Sequence, residues 1–175
     1  MSILETERLL LRTWMDDDAE PAARIYGDVE VMQFIPVGVM GVEKIAPMLR
    51  RWNDEHERES FGLWAAVEKS TGAIVGESGL HRIPETGEVE IAWLFERTAW
   101  GKGFATEAAR AVLEYGFAAA KLQRIICLID RENARSVAVA NRLHFWYDRI
   151  GRYYHRDLLK YYRDVSNHVA PQPQL

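Results

Sequence analysis

Apolar positions along the chain change period near residue 61. Before it, Ile45, Met48, Leu49 and Trp52 recur every three to four residues, which predicts an amphipathic helix over 42–57. A shorter helix is expected over 19–26, entered through Asp16-Asp17-Asp18. Acids at a helix start suit capping and the helix dipole, so the triplet reads as structural rather than metal-binding. The compact run 8–12 predicts an opening strand, and 32–40, with Phe34, Ile35 and Pro36, either caps a pocket or joins two helices. After 61 the runs shorten into strands at 61–68, 73–83 and 88–94, the first two separated by Ser70-Thr71-Gly72. The third alternates imperfectly, as a strand covered on both faces does. A helix over 105–120 presents Ala108, Val112, Leu113, Tyr115, Gly116 and Phe117 as a broad apolar face. A β-branched strand at 124–129, a helix at 133–143 and strands at 146–154 and 158–165 complete the order β-α-α-β-β-β-α-β-α-β-β. That order predicts one α/β (α+β) domain over 1–175, a mixed seven-stranded sheet with helices on both faces. Residues 166–175 read as a loose polar tail.

The 175 residues can bury roughly 70% of their unfolded surface in one core. A formal charge of −4 argues against a nucleic-acid partner and mildly favours a cationic one. With neither an apolar leader nor a run of 18 apolar residues, neither a targeting signal nor a membrane span is expected. The single cysteine, Cys127, sits in Ile125-Ile126-Cys127-Leu128-Ile129 and reads as a buried inert thiol. A protein without disulfides suits a reducing, cytoplasmic setting.

The segment with most chemistry is Trp100-Gly101-Lys102-Gly103-Phe104-Ala105-Thr106, a glycine-broken turn opening into a helix. The first N–H groups of a helix lack intrahelical partners and carry partial positive charge, so this junction can receive a phosphate or diphosphate. It is not a P-loop, because G-x-x-x-x-G-K-[ST] is absent. Nor is it a dinucleotide fingerprint, because Thr106 stands where the third glycine belongs. Taken alone, a helix start with no ligand remains open.

Four segments together resemble the GNAT superfamily of acetyl-coenzyme-A-dependent N-acetyltransferases, and most closely its Rim-type branch, which acetylates ribosomal-protein N-termini. Thr6-Glu7-Arg8-Leu9-Leu10-Leu11-Arg12 is similar to that branch's opening strand, and Val89-Glu90-Ile91-Ala92-Trp93-Leu94 to its V-E-I-G-Y-x-L strand. Residues 100–105 resemble the [QR]-x-x-G-x-[GA] diphosphate loop, with Trp100 in the Gln/Arg place. Asn133-Ala134-Arg135-Ser136 through Leu143-His144-Phe145 resembles N-x-x-S…L-G-F. The resemblance implies a mostly antiparallel sheet and acetyl-CoA as co-substrate, with no metal. It implies that main-chain N–H groups of Lys102, Gly103, Phe104, Ala105 and Thr106 hold the diphosphate. It also implies that pantetheine lies along Trp93 and Leu94 and is hydrogen-bonded by Asn133, which by itself reads as a helix N-cap.

Acyl transfer needs a free-base amine, a polarised thioester carbonyl and a proton for the leaving thiolate. A main-chain N–H near Trp93 or Leu94 is the natural oxyanion donor. An α-amine is roughly 15–20% free base at pH 7, whereas a lysine-like amine is only about 0.04% free, a deficit of about 4.6 kcal/mol. Glu90, a carboxylate in an apolar strand, is the candidate base, with a structural ion pair as its alternative; Glu88 and His81 are weaker candidates. The place where many family members carry a tyrosine donor holds Ala140, which leaves Ser136, or water relayed through it, to protonate the sulfur. His144 replaces a glycine at a helix end, where a left-handed turn is strained by a side chain. The acceptor expected from the resemblance is an amine, either a protein N-terminus or a small molecule, served by a monomer or homodimer. Rival readings are a CoA-binding protein without catalysis and an aromatic interface built from Trp52, Trp64, Trp146, Tyr147, Tyr153, Tyr154, Tyr161 and Tyr162.

Overall fold

The structure, a computed structural model, describes residues 2–168. One sheet holds β1 Ser2–Glu5, β2 Leu9–Arg12, β3 Leu63–Glu68, β4 Ile74–Arg82, β5 Val89–Phe95, β6 Arg124–Ile129, β7 Trp146–Tyr153 and β8 Arg156–Asp164. Their spatial order is β1-β2-β3-β4-β5-β6-β8-β7, and only β5 and β6 run parallel. The expected mixed, mostly antiparallel sheet is present, with eight strands instead of seven. The additional strand is β1, folded back on β2 through a turn in which Thr6 donates its N–H to the Leu9 carbonyl and its hydroxyl oxygen accepts the Leu9 N–H. Four residues ending in a glutamate are too short a run to announce a strand by periodicity.

The helices are α1 Ala19–Tyr26, the single turn α2 Val29–Met32, α3 Val42–Glu59, α4 Phe104–Ala118 and α5 Ala134–Arg142. They cover opposite faces of the sheet. Ile25, Met32, Ile45 and Leu49 pack with Ala65 and Leu94 on one side. Val112, Leu113 and Phe117 pack with Leu80, Ile91 and Ile125 on the other. The stripe read at 42–57 is therefore the buried side of α3, with Ile45 and Leu49 almost inaccessible. Asp16–Asp18 forms a 3-10 turn, and buried Asp18 takes two hydrogen bonds from Arg12 at 2.5 and 2.9 Å, the structural role expected of that acidic entry.

Of the aromatic residues considered as an interface, Trp64 is wholly buried in the core, whereas Trp146 and Tyr147 are exposed on edge strand β7. Val165–His168 forms a 3-10 turn, so residues 166–168 are not the loose tail expected there, and 169–175 lie outside the described residues. Among the described residues, no helix is long and apolar enough to cross a membrane.

Candidate active site

Strands β5 and β6 meet at a single bridge, Glu90 opposite Ile126, and part beyond it. Which main-chain groups face that gap follows from the ladder between β4 and β5. Ile83 N–H donates to the Glu88 carbonyl at 2.8 Å and Glu96 N–H to the Val75 carbonyl at 2.9 Å. These mark the exchanging pairs, so Leu94, opposite Glu77, and Glu90, opposite His81, turn their N–H groups toward β4. Trp93 and Phe95 turn theirs into the gap. Of the two residues expected beside pantetheine, Trp93 thus presents main-chain groups, and Leu94 presents its side chain. The Phe95 carbonyl is taken by the Trp100 indole N–H at 2.8 Å, and the Arg135 guanidinium lies 3.6 Å from the centre of the Trp100 ring. Those contacts tie the glycine loop to the end of β5 and to α5.

Gly101 and Gly103 adopt φ of +77° and +84°, left-handed backbone that only glycine takes without strain. The first helical bond of α4 runs from Glu107 N–H to the Gly103 carbonyl at 3.0 Å. The N–H groups of Phe104, Ala105 and Thr106 therefore open outward at the positive end of the helix. The Lys102 side chain is exposed, and its carbonyl accepts from Arg8 Nη1 at 2.8 Å. Arg8 also holds Glu107, donating from Nε to Oε2 at 2.7 Å and from its main chain to Oε1 at 2.8 Å, while the Thr6 hydroxyl adds a bond at 2.6 Å. Burial raises the Glu107 carboxyl, but these bonds outweigh it and keep the group below the ordinary range. The opening motif therefore neutralises the one carboxylate in the first turn of α4 and braces the loop.

Two cavities converge on the gap. One, of about 850 Å³, borders the glycine loop and is lined by Gly103, Phe104, Thr106, Arg110 and Arg142 among others. The second, of about 580 Å³, lies against α3 and includes Met48, Trp52, Glu77, His81 and Glu90. Their shared lining is Phe34, Ile35, Trp93, Leu94, Asn133 and Ser136. Asn133 caps α5, its Oδ1 accepting from Ser136 N–H at 3.1 Å, so the capping role expected of it is present at the junction. Ser136 Oγ accepts the Trp93 indole N–H at 3.2 Å, which leaves its own hydroxyl proton to donate. Ala140 is fully buried.

Behind the junction lies a cluster of buried ionisable groups. Glu90 is 7% exposed; its Oε2 accepts from the Tyr154 phenol at 2.7 Å and lies 3.2 Å from His81 Nε2. The contact that sequence offered as the alternative to a base is therefore formed. Burial disfavours the charged imidazole of His81, but the hydrogen bond and charge of Glu90, with the charges of Glu55 and Glu77, raise it overall. Glu77, not singled out by sequence, is equally buried and accepts from the Tyr26 phenol. Burial pushes its carboxyl from 4.5 up to about 7, against the opposing pull of Tyr26 and His81. Its signal was a carboxylate in an apolar strand, the same signal that drew attention to Glu90. Tyr154, which the sequence offered only as part of an aromatic interface, forms the tight β7–β8 turn with His155, at φ of 49° and 62°, without the glycine or asparagine that usually marks such a turn. Cys127 is buried and its thiol pushed well up by desolvation, in keeping with an inert role.

A family model described as an acetyltransferase (GNAT) domain matches residues 8–146. The N-acetyltransferase p20 of Bacillus licheniformis is 31% identical over 158 residues, covering 89% of this chain and 89% of p20. A GNAT-family acetyltransferase from Bacillus anthracis superposes with a TM-score of 0.76 at 28% identity, covering 93% of this chain and 96% of that one. RimL, a ribosomal L7/L12 α-N-protein acetyltransferase solved with coenzyme A, shares the fold with a TM-score of 0.80 at 16% identity, covering 94% of this chain and 98% of its own.

Proposed function

Because the chain belongs to the GNAT acetyltransferase family, we propose that it moves the acetyl group of acetyl-CoA onto a primary amine, with Glu90 and Ser136 serving the proton transfers. The observation that carries this reading is the meeting of two cavities at Trp93, Asn133 and Ser136, one bordered by the glycine loop and the start of α4 and the other by buried carboxylates. Main-chain N–H groups from Lys102 to Thr106 receive the diphosphate. The Trp93 N–H polarises the thioester carbonyl, and the Asn133 amide steadies the pantetheine arm. Glu90, acting with His81, draws a proton from the amine, and Ser136 passes one to the departing sulfur. Acetyl-CoA is consumed as a substrate, and these residues supply orientation, charge and proton transfer.

A coenzyme A thiol-release assay over peptide and small-amine pools tests the proposal. Turnover is expected with at least one pool, and Glu90→Gln and Ser136→Ala should lower it while acetyl-CoA still binds. A rate and pH profile unchanged in Glu90→Gln would remove Glu90 from the mechanism. Both a protein N-terminal α-amine and a small amine satisfy this chemistry.

A further inference from the structure

The acceptor side of the site narrows that choice. Resting on the acetyltransferase reading, we infer that the acceptor is a small, strongly basic primary amine on an apolar body, its nitrogen received by the Glu77–His81–Glu90 cluster. Glu77 lies directly across the β4–β5 ladder from Leu94, and His81 across from Glu90, so both carboxylates and the imidazole share one face of the sheet. That face borders the 580 Å³ cavity, whose remaining lining is mostly apolar, with Ile35, Met40, Met48, Trp52 and Leu63 against the cluster and Lys44, Arg51 and Asp130 also contributing. A peptide backbone laid against such walls would leave amide groups without partners, whereas a hydrocarbon or aromatic body loses nothing there.

The cluster also fits the chemistry of a basic amine. An α-amine already has a substantial unprotonated fraction at neutral pH and needs little assistance, whereas an alkylamine is almost wholly ammonium. Buried carboxylates first hold that cation and then take its proton. Glu77 stands nearest along the strand to the Trp93–Leu94 segment and accepts the ammonium's first proton, its carboxyl being poised near neutrality by burial, which leaves Glu90 and His81 the proton released as the C–N bond forms. The groups bearing on it are Tyr26 from α1, Arg51 and Glu55 from α3, His81 on β4, Glu90 on β5 and Tyr154 at the β7–β8 turn. The balance is simple. The ammonium gives one proton to Glu77, the nitrogen lone pair forms the C–N bond as the C–S bond breaks, and the second nitrogen proton, drawn by Glu90 with His81, is returned to the coenzyme A sulfur through Ser136. Glu77 then releases its proton to solvent.

The test compares phenethylamine and hexylamine with spermidine and with peptides bearing serine or alanine N-termini, by thiol release. The wild-type protein should use the two apolar amines with the highest kcat/KM. Glu77→Gln should lower that value by about 100-fold and lose the acidic limb of its pH profile. It should leave 2,2,2-trifluoroethylamine, largely unprotonated at neutral pH, nearly unaffected. Calorimetric titration with acetyl-CoA on the same samples reports folding and coenzyme binding separately. Acetyl-CoA binding with turnover confined to peptides or spermidine, or equal loss for both kinds of amine in Glu77→Gln, overturns the inference and leaves the acetyltransferase reading intact. Absence of acetyl-CoA binding by the wild-type protein overturns both.

Discussion

Glu77 makes stability depend on pH in a direction opposite to that of most carboxylates. An unfolded chain ionises this group near 4.5, whereas burial in the folded chain holds the proton until about 7. Between those values the folded state binds more protons than the unfolded one, so stability falls as pH rises. At roughly 1.4 kcal/mol per pH unit, the ionised side chain costs about 1 kcal/mol at pH 5 and about 3 kcal/mol at pH 8. Glu77→Gln keeps the shape and an acceptor for the Tyr26 phenol but removes the charge. The variant should therefore gain on wild type by about 2 to 3 kcal/mol between pH 5 and pH 8. The melting temperature at pH 8 should rise by roughly 6–12 °C. Urea unfolding of both proteins across that range, followed by tryptophan fluorescence, measures the difference. A gap that stays constant with pH, or that closes as pH rises, would refute the placement of a protonated carboxyl at this position.

Other perturbations follow from the same geometry. Arg8→Ala removes the bonds to Glu107 and the Lys102 carbonyl, so acetyl-CoA affinity should drop about tenfold, equivalent to about 1.4 kcal/mol. The kcat should change little, and Arg8→Lys should recover only part of the affinity; steady-state kinetics with acetyl-CoA varied would show this. His144, exposed at φ +57°, should be improved by glycine, with His144→Gly gaining about 1 kcal/mol in denaturant unfolding. Tyr154→Phe removes the phenol that donates to Glu90, and should shift the pH profile of kcat/KM while leaving acetyl-CoA binding unchanged in calorimetry.

Local signals and long-range ones were not equally legible. The stripe of α3 and the glycine entry of α4 are written in consecutive residues, and the structure places both where the periodicity does. The strain expected where His144 replaces glycine is likewise local, and its left-handed backbone is observed. The β1 strand was missed because its four residues gain their partner only through the Thr6 turn. The difference between Trp93 and Leu94 depends on the phase of the hydrogen-bond ladder with β4, which no single strand reveals. The roles of Glu77 and Tyr154 at the site were invisible for a related reason. One joins Tyr26 from 51 residues away and the other reaches Glu90 across 64, contacts that only the assembled sheet creates. Arg8 was quoted as part of a strand motif, yet its partner Glu107 lies 99 residues on. Its brace on the loop could not be read from spacing.

The account rests on the helix end at Phe104 to Thr106 receiving a diphosphate, and calorimetry with a matched pair of thioesters addresses it most directly. Acetyl-CoA and acetylpantetheine carry the same acetyl thioester arm and differ by the diphosphate and nucleotide. The wild-type protein should bind acetyl-CoA at one site per chain and acetylpantetheine far more weakly, and Gly103→Val should abolish the advantage of acetyl-CoA. Equal affinity for the two thioesters, or an advantage untouched by Gly103→Val, would contradict the account.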